Sequence, residues 1–143
     1  MLEILGRQNY GQLHRIMLLQ NFPETPEDYA AAEAAFLKAE LLGVFEGSCL
    51  KVVFILADEQ QEGAFLDVIC QPGFEGKWAS KALLKQLYDY VFQHKKYRYL
   101  WVQPRRKAGL RAALKAGFRY LSACKTTPPL LLLSKTQPLK WNN

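Results

Sequence analysis

A chain of 143 residues, half of them hydrophobic, is long enough to bury a core of its own, which argues against a disordered protein. Its three cysteines, Cys49, Cys70 and Cys124, form no CxxC pair and leave an odd number, so neither a disulfide framework nor a metal site is expected. The net charge of +6 conceals a division: residues 1–75 hold four basic and twelve acidic residues, whereas residues 76–143 hold fifteen basic and one acidic.

The N-terminal text MLEILGRQNY lacks a basic segment followed by an apolar core, and the longest apolar runs are too short to span a bilayer. The expectation is a protein with no membrane association, placed in the reducing cytoplasm. Leu2 to Leu5 reads as a short strand, and Asn9 as the cap of a helix whose inner edge carries Leu13, Ile16 and Met17. Thr25-Pro26-Glu27-Asp28 reads as a second helix start, with a threonine cap, proline at the first helical position and carboxylates in the first turn. That alanine-rich helix should run to about residue 39.

The period then changes. Leu42 to Glu46 and Leu50 to Ala57 read as antiparallel strands joined at Gly47-Ser48, and the polar cluster from Asp58 to Gly63 leads into a buried strand, Phe65 to Cys70. Pro72 and Gly73 close that strand. Ser80 is an acceptable N-cap for a helix with Leu83, Leu84, Leu87, Tyr88 and Val91 at helical spacing, ending near Lys95 and Lys96. Tyr99 to Val102 forms another strand, and a helix from Arg106 to Ala116 is stopped by Gly117 as a left-handed cap. Tyr120 to Lys125 and Leu130 to Ser134 supply a last pair of strands. The reading is one domain over residues 1–136 with a tail over 137–143.

A strand feeding a small-residue loop and a helix start brings free backbone N–H groups and a helix dipole together, which suits an anion. The order of elements and the local text resemble the GNAT superfamily of acyl-CoA-dependent N-acetyltransferases. Pro72, Gly76, Lys77 and Lys81-Ala82-Leu83-Leu84 resemble its pyrophosphate loop and following helix. Val102 to Phe118, ending Leu114-Lys115-Ala116-Gly117-Phe118, resembles its fifth strand and fourth helix. The resemblance implies an α/β fold of the α+β kind, with a mixed, mostly antiparallel sheet of about six to seven strands flanked by four helices. It implies acetyl-CoA as cofactor, held by the stretch Cys70, Gln71, Gly73, Glu75, Gly76, Lys77, Trp78, Ala79 and Ser80 with Arg106 assisting. Small GNAT-like proteins with altered loops occur among tailed bacteriophages, which this chain also resembles, and a virion-associated location would follow from such an origin.

The family's loop pattern, R/Q-x-x-G-x-G/A, falls on Glu75-Gly76-Lys77-Trp78-Ala79-Ser80. Glu75 places a carboxylate beside two phosphates, and Trp78 stands where glycine lets the backbone approach them. The family's tyrosine acid on the fourth helix maps to Ala113, and a preceding asparagine to Arg106. Tyr120 and Cys124 are the nearby candidates to replace the tyrosine, and Asp67 or Glu46 is the candidate general base. Lys107, Arg111 and Lys115 recur every four residues as a stripe of like charge, a repulsion of roughly 0.2–0.5 kcal/mol per pair that a bound anion would relieve. CoA or another phosphate-bearing ligand, a nucleic-acid backbone and an acidic protein surface all suit such a stripe. Three readings therefore stand. One is a GNAT-shaped binding or structural module with weak or lost catalysis, the second an active acetyl-CoA-dependent N-acetyltransferase acting on an amine, and the third a nucleic-acid-binding module.

Overall fold

A computed structural model describes residues 2–57, 59–60, 62–74, 77–121 and 129–135. In chain order the elements are β1 (Leu2–Ile4), α1 (Tyr10–Leu19), α2 (Tyr29–Phe36), β2 (Glu40–Glu46), β3 (Cys49–Ala57), β4 (Gly63–Cys70), α3 (Lys81–Tyr88), β5 (Tyr99–Val102), α4 (Lys107–Lys115), β6 (Arg119–Tyr120) and β7 (Leu131–Ser134). The strands form one sheet in the order β1-β2-β3-β4-β5-β7-β6. Every pairing is antiparallel except β4 with β5. The mixed, mostly antiparallel sheet of seven strands with four α-helices agrees with the sequence expectation. No helix among the described residues is long and apolar enough to cross a membrane.

Helices cover both faces of the sheet, which explains the unbroken apolar run of β3. Val53 and Ile55 pack with Leu13, Ile16 and Phe36 of α1 and α2. Val52, Phe54 and Leu56 alternate with them and pack with Leu84 and Leu87 of α3 and with Ala112 and Ala113 of α4. Full burial of each such aliphatic side chain contributes roughly 1.5–3 kcal/mol, so this strand is the spine of both cores.

Local chemistry sets the helix ends. Ser80 caps α3 by accepting from the Leu83 amide at 3.3 Å. Gly117, at φ +104°, ends α4 in a Schellman motif, with Phe118 N–H donating to the Ala113 carbonyl and Gly117 N–H to that of Leu114, both at 3.1 Å. Two boundaries depart from the sequence reading. The second helix starts at Asp28, whose carboxylate accepts from the Ala31 amide at 3.0 Å, and the Thr25 hydroxyl turns back to the Phe22 carbonyl at 2.6 Å. Pro26 is held outside the helix, because its carbonyl accepts from Nε2 of the buried His14 at 2.6 Å. The expected long helix also changes pitch, Asp89–His94 being π-helical with Lys95 N–H donating five residues back to the Tyr90 carbonyl. Of the expected Tyr120–Lys125 strand only Tyr120 falls in β6, which begins one residue earlier at Arg119; residues 122–128 lie outside the described residues.

That π-turn gathers a polar cluster at the end of the sheet where β2 begins and β3 ends. Tyr90 donates to Glu40 and Tyr97 to Glu59. Lys95 reaches both carboxylates, at 3.8 Å and 3.2 Å. Burial first, then the carboxylate each one touches, pushes both phenols well above the ordinary tyrosine range. Burial alone does so for Tyr88, which donates to the Ala116 carbonyl at 2.6 Å.

At Gly63 the first residues of β4 and β5 approach so closely that a Cβ would stand 2.2 Å from the Tyr99 carbonyl oxygen and 2.8 Å from the Trp101 ring. Gly63→Ala is expected to destabilise the fold by ~3 kcal/mol, the upper part of the overpacking range, in urea denaturation. Gly109→Ala, where a Cβ meets only Pro104 at 3.6 Å, should instead stabilise by about 0.5–1 kcal/mol. The tyrosine shifts set a second expectation. Above the ordinary tyrosine pKa of about 10, the folded chain keeps protons that the unfolded chain releases, so stability is full below that pH and falls as pH rises through the folded values. Urea midpoints should drop between about pH 9 and pH 11, and by less in a Tyr90→Phe/Tyr97→Phe variant.

Candidate functional site

β4 and β5 are joined only over Gly63–Tyr99, Ala64–Leu100 and Phe65–Trp101. Past these pairs β4 follows β3 and β5 follows β7, and between them lies a cavity of about 230 Å³. One wall is β4 from Leu66 to Cys70. The opposite wall is the end of β5 at Val102, the connection from Gln103 to Arg106, and Ala108 and Gly109 of α4. The connection from Gln20 to Pro23, between α1 and α2, closes one side, and Trp78 another.

Side-chain alternation along β4 distributes the chemistry. Asp67 shares the face of Ile69, which packs with α1 and α2, and so meets the cavity on the side of the Gln20–Pro23 connection. Cys70, buried and outside any disulfide, belongs to the opposite face together with Trp78. Arg106 precedes α4 in an extended conformation and reaches across the mouth. Its Nη1 donates to Oε1 of Gln20 and its Nη2 to the Gln20 carbonyl, both at 3.0 Å. This two-pronged contact ties the α1–α2 connection to the β5–α4 connection.

Several amides among the described residues after β4 are bonded within the protein. Gln71-Pro72-Gly73-Phe74 forms a turn with Gly73 at φ +87° and the Phe74 amide donating to the Gln71 carbonyl at 2.9 Å, the type II pattern of proline followed by glycine. The Lys77 amide donates to the Phe74 carbonyl at 3.2 Å, and the Gln71 amide to the Lys51 carbonyl at 2.8 Å. The Leu83 amide at the helix start is taken by Ser80, and the Lys77 ammonium lies over the Phe74 ring, 5.6 Å from its centre. Trp78 is 3% exposed, edge-on to Phe54 with ring centres 6.0 Å apart. It walls the cavity and leaves space beside it.

Of the residues singled out in the sequence, Asp67, Cys70, Trp78 and Arg106 therefore meet at one cavity, whereas Gln71, Gly73, Lys77, Ala79 and Ser80 do not line it. Glu75, Gly76 and Cys124 lie outside the described residues. Tyr120 stands at the sheet edge on β6, 55% exposed and away from the cavity lining. Glu46 is exposed at the end of β2. Ala113 is fully buried in the core, and the α4 residues that do face the cavity, Ala108 and Gly109, carry no proton donor. Lys107, Arg111 and Lys115 form an exposed stripe with no ion pair among the described residues. Gln20, Phe22, Pro23 and Gln103 line the cavity without any signal in the sequence, because only tertiary folding carries their connections there.

Solved structures share this fold across nearly the whole chain. A spermidine N-acetyltransferase mutant from Vibrio cholerae superposes with a TM-score of 0.73 at 15% identity, covering 94% of each chain. An N-acetyltransferase from Staphylococcus aureus Mu50 gives a TM-score of 0.73 at 12% identity, covering 94% of this chain and 97% of that one. The ribosomal-protein-S18-alanine N-acetyltransferase from Escherichia coli gives 0.69 at 15% identity, covering 100% and 98%. The fold is thus that of the GNAT acetyltransferases. No protein-family model and no curated protein matches the sequence.

Two consequences are measurable. In a double-mutant cycle Gln20→Ala and Arg106→Ala should be non-additive by about 0.5–1 kcal/mol, the exposed position discounting a charge-assisted bond. Trp78→Ala should cost about 3–5 kcal/mol in urea denaturation, because the indole is a core group.

Proposed function

We propose that this chain uses the β4–β5 cleft to bind a small ligand and has weak or lost acyl transfer. The observation that carries this reading is the bonding of backbone amides after β4 within the protein. A pyrophosphate needs several backbone N–H groups turned outward, and here the amides of Gln71, Phe74, Lys77 and Leu83 each have a partner within the protein. Two further features support it. Trp78 occupies core volume at the position where the GNAT loop carries glycine. The α4 residues facing the cavity offer no group to protonate a leaving thiolate.

A second reading, an active acetyl-CoA-dependent transferase, draws support from the open cavity and from Asp67 on its wall. An amine held against a thioester needs positioning more than covalent help, so a missing tyrosine alone would not abolish transfer. The exposed stripe of Lys107, Arg111 and Lys115 favours a contact with polyanions apart from either reading.

The deciding experiment is a thermal-shift titration with CoA and acetyl-CoA, using ATP as polyanion control. It is paired with acetyl transfer to spermidine and to a peptide with N-terminal alanine, the acceptors that the similar structures' names carry. Neither CoA nor acetyl-CoA should shift the transition beyond ATP, and no transfer above background should occur. A CoA-specific shift of several degrees, on the scale of about 2.7 kcal/mol expected at a hundredfold excess over Kd, together with turnover, would replace this reading by the second.

A further inference from the structure

If the cleft binds a small ligand, as just proposed, the charges on its walls specify that ligand's class. The charged side chains among the described residues that line the cavity are Asp67 on the β4 wall and Arg105 and Arg106 on the opposite one. Apolar and amide groups make up the rest of the lining. Neither guanidinium pairs with a carboxylate among the described residues. Arg106 spends two N–H groups on neutral oxygens of Gln20, and a guanidinium has five. A carboxylate accepts about four hydrogen bonds, so Asp67 can serve an ammonium alongside protein donors.

We infer that the cleft is built for a small amino-carboxylate, with its ammonium toward Asp67 and its anionic end toward Arg105 and Arg106. A ligand of one sign meets a like charge on one wall. A diamine or polyamine would face two guanidiniums, and a dicarboxylate would face Asp67, and such like-charge juxtaposition is how sites reject the wrong partner. A molecule with both charges satisfies both walls. The volume of about 230 Å³ limits its size. It exceeds the ~150 Å³ that accepts a benzene ring and falls short of the roughly 300–1,000 Å³ of drug-sized sites.

The test is calorimetric titration of the full chain with 4-aminobutanoate, 1,4-diaminobutane and butanedioate, which share one carbon skeleton and differ in charge. Glycine and 6-aminohexanoate vary the charge separation. At least one amino acid should bind roughly tenfold or more tightly than the diamine and the diacid. Asp67→Asn should weaken that amino acid by about tenfold, and Arg105→Gln or Arg106→Gln should relax rejection of the diamine. Arg105→Gln leaves the tie to Gln20 intact, so it reads the charge effect without loosening the mouth. Three results would overturn the inference. The diamine binds as tightly as the best amino acid; no amino acid binds at millimolar concentration to a folded chain; or the arginine variants bind the best amino acid, and reject the diamine, as the parent chain does, which removes the guanidiniums from the site. The titrations contain no CoA, so failure of the weak-transfer reading, seen as a CoA-specific shift, is read separately.

Discussion

The contact at Gly63 sets the geometry on which the cavity depends. Because that residue has no Cβ, the start of β4 lies against the Tyr99 carbonyl, and the two strands are pinned at one end. Each strand has a stronger claim on its other side. β4 pairs with β3 from Phe65 to Cys70, and β5 pairs with β7 along all four of its residues. A parallel ladder is slightly less stable per residue than an antiparallel one, so where the two demands conflict the parallel pair yields. The cavity is the space left by that yielding, and its position follows from strand pairing before any side chain is considered.

The charge division of the sequence acquires a spatial meaning at this opening. The β4 wall with Asp67 belongs to the acidic first half of the chain, and the wall with Arg105 and Arg106 belongs to the basic second half. The same division recurs at the other end of the sheet, where Lys95 bridges Glu40 and Glu59. Part of the formal imbalance is thus resolved within the fold, whereas the stripe on α4 faces solvent. The tie from Arg106 to Gln20 also links the halves, holding the connection before α2 over the connection before α4.

Features written in adjacent residues were legible in the sequence. Ser80 and Gly117 act through amides and carbonyls within a few residues, and both mark the helix ends expected of them. The apolar run of β3 announced a strand buried on both faces. Thr25 misled because its hydroxyl has two local partners, the amides ahead and the Phe22 carbonyl behind, and contact from His14 on α1 favours the second. The π-turn leaves no mark in residue spacing, since Tyr90, Tyr97 and their carboxylates come together only in the packed structure. At the cavity Asp67 and Arg106 were legible as residue types. Gln20 was not, because its partner is 86 positions away.

Trp78 links the stretch between β4 and α3 to the stability of the whole. A side chain of that size, 3% exposed and set against Phe54 on the spine strand, anchors the turn from Lys77 to Ala79 to the core. In the same stretch the Phe74 and Lys77 amides donate to the Gln71 and Phe74 carbonyls. Trp78 is therefore part of what holds the fold together. Replacing Trp78 by glycine would remove a core residue, at a cost of the order of 3–5 kcal/mol against a typical total stability of about 5–15 kcal/mol. The wall bearing Asp67 is held by the β3–β4 ladder and by the pinned start of β4 against β5. A substitution at the half-buried Asp67 therefore changes the charge of the wall without removing a core group, whereas one at Trp78 alters wall and core together.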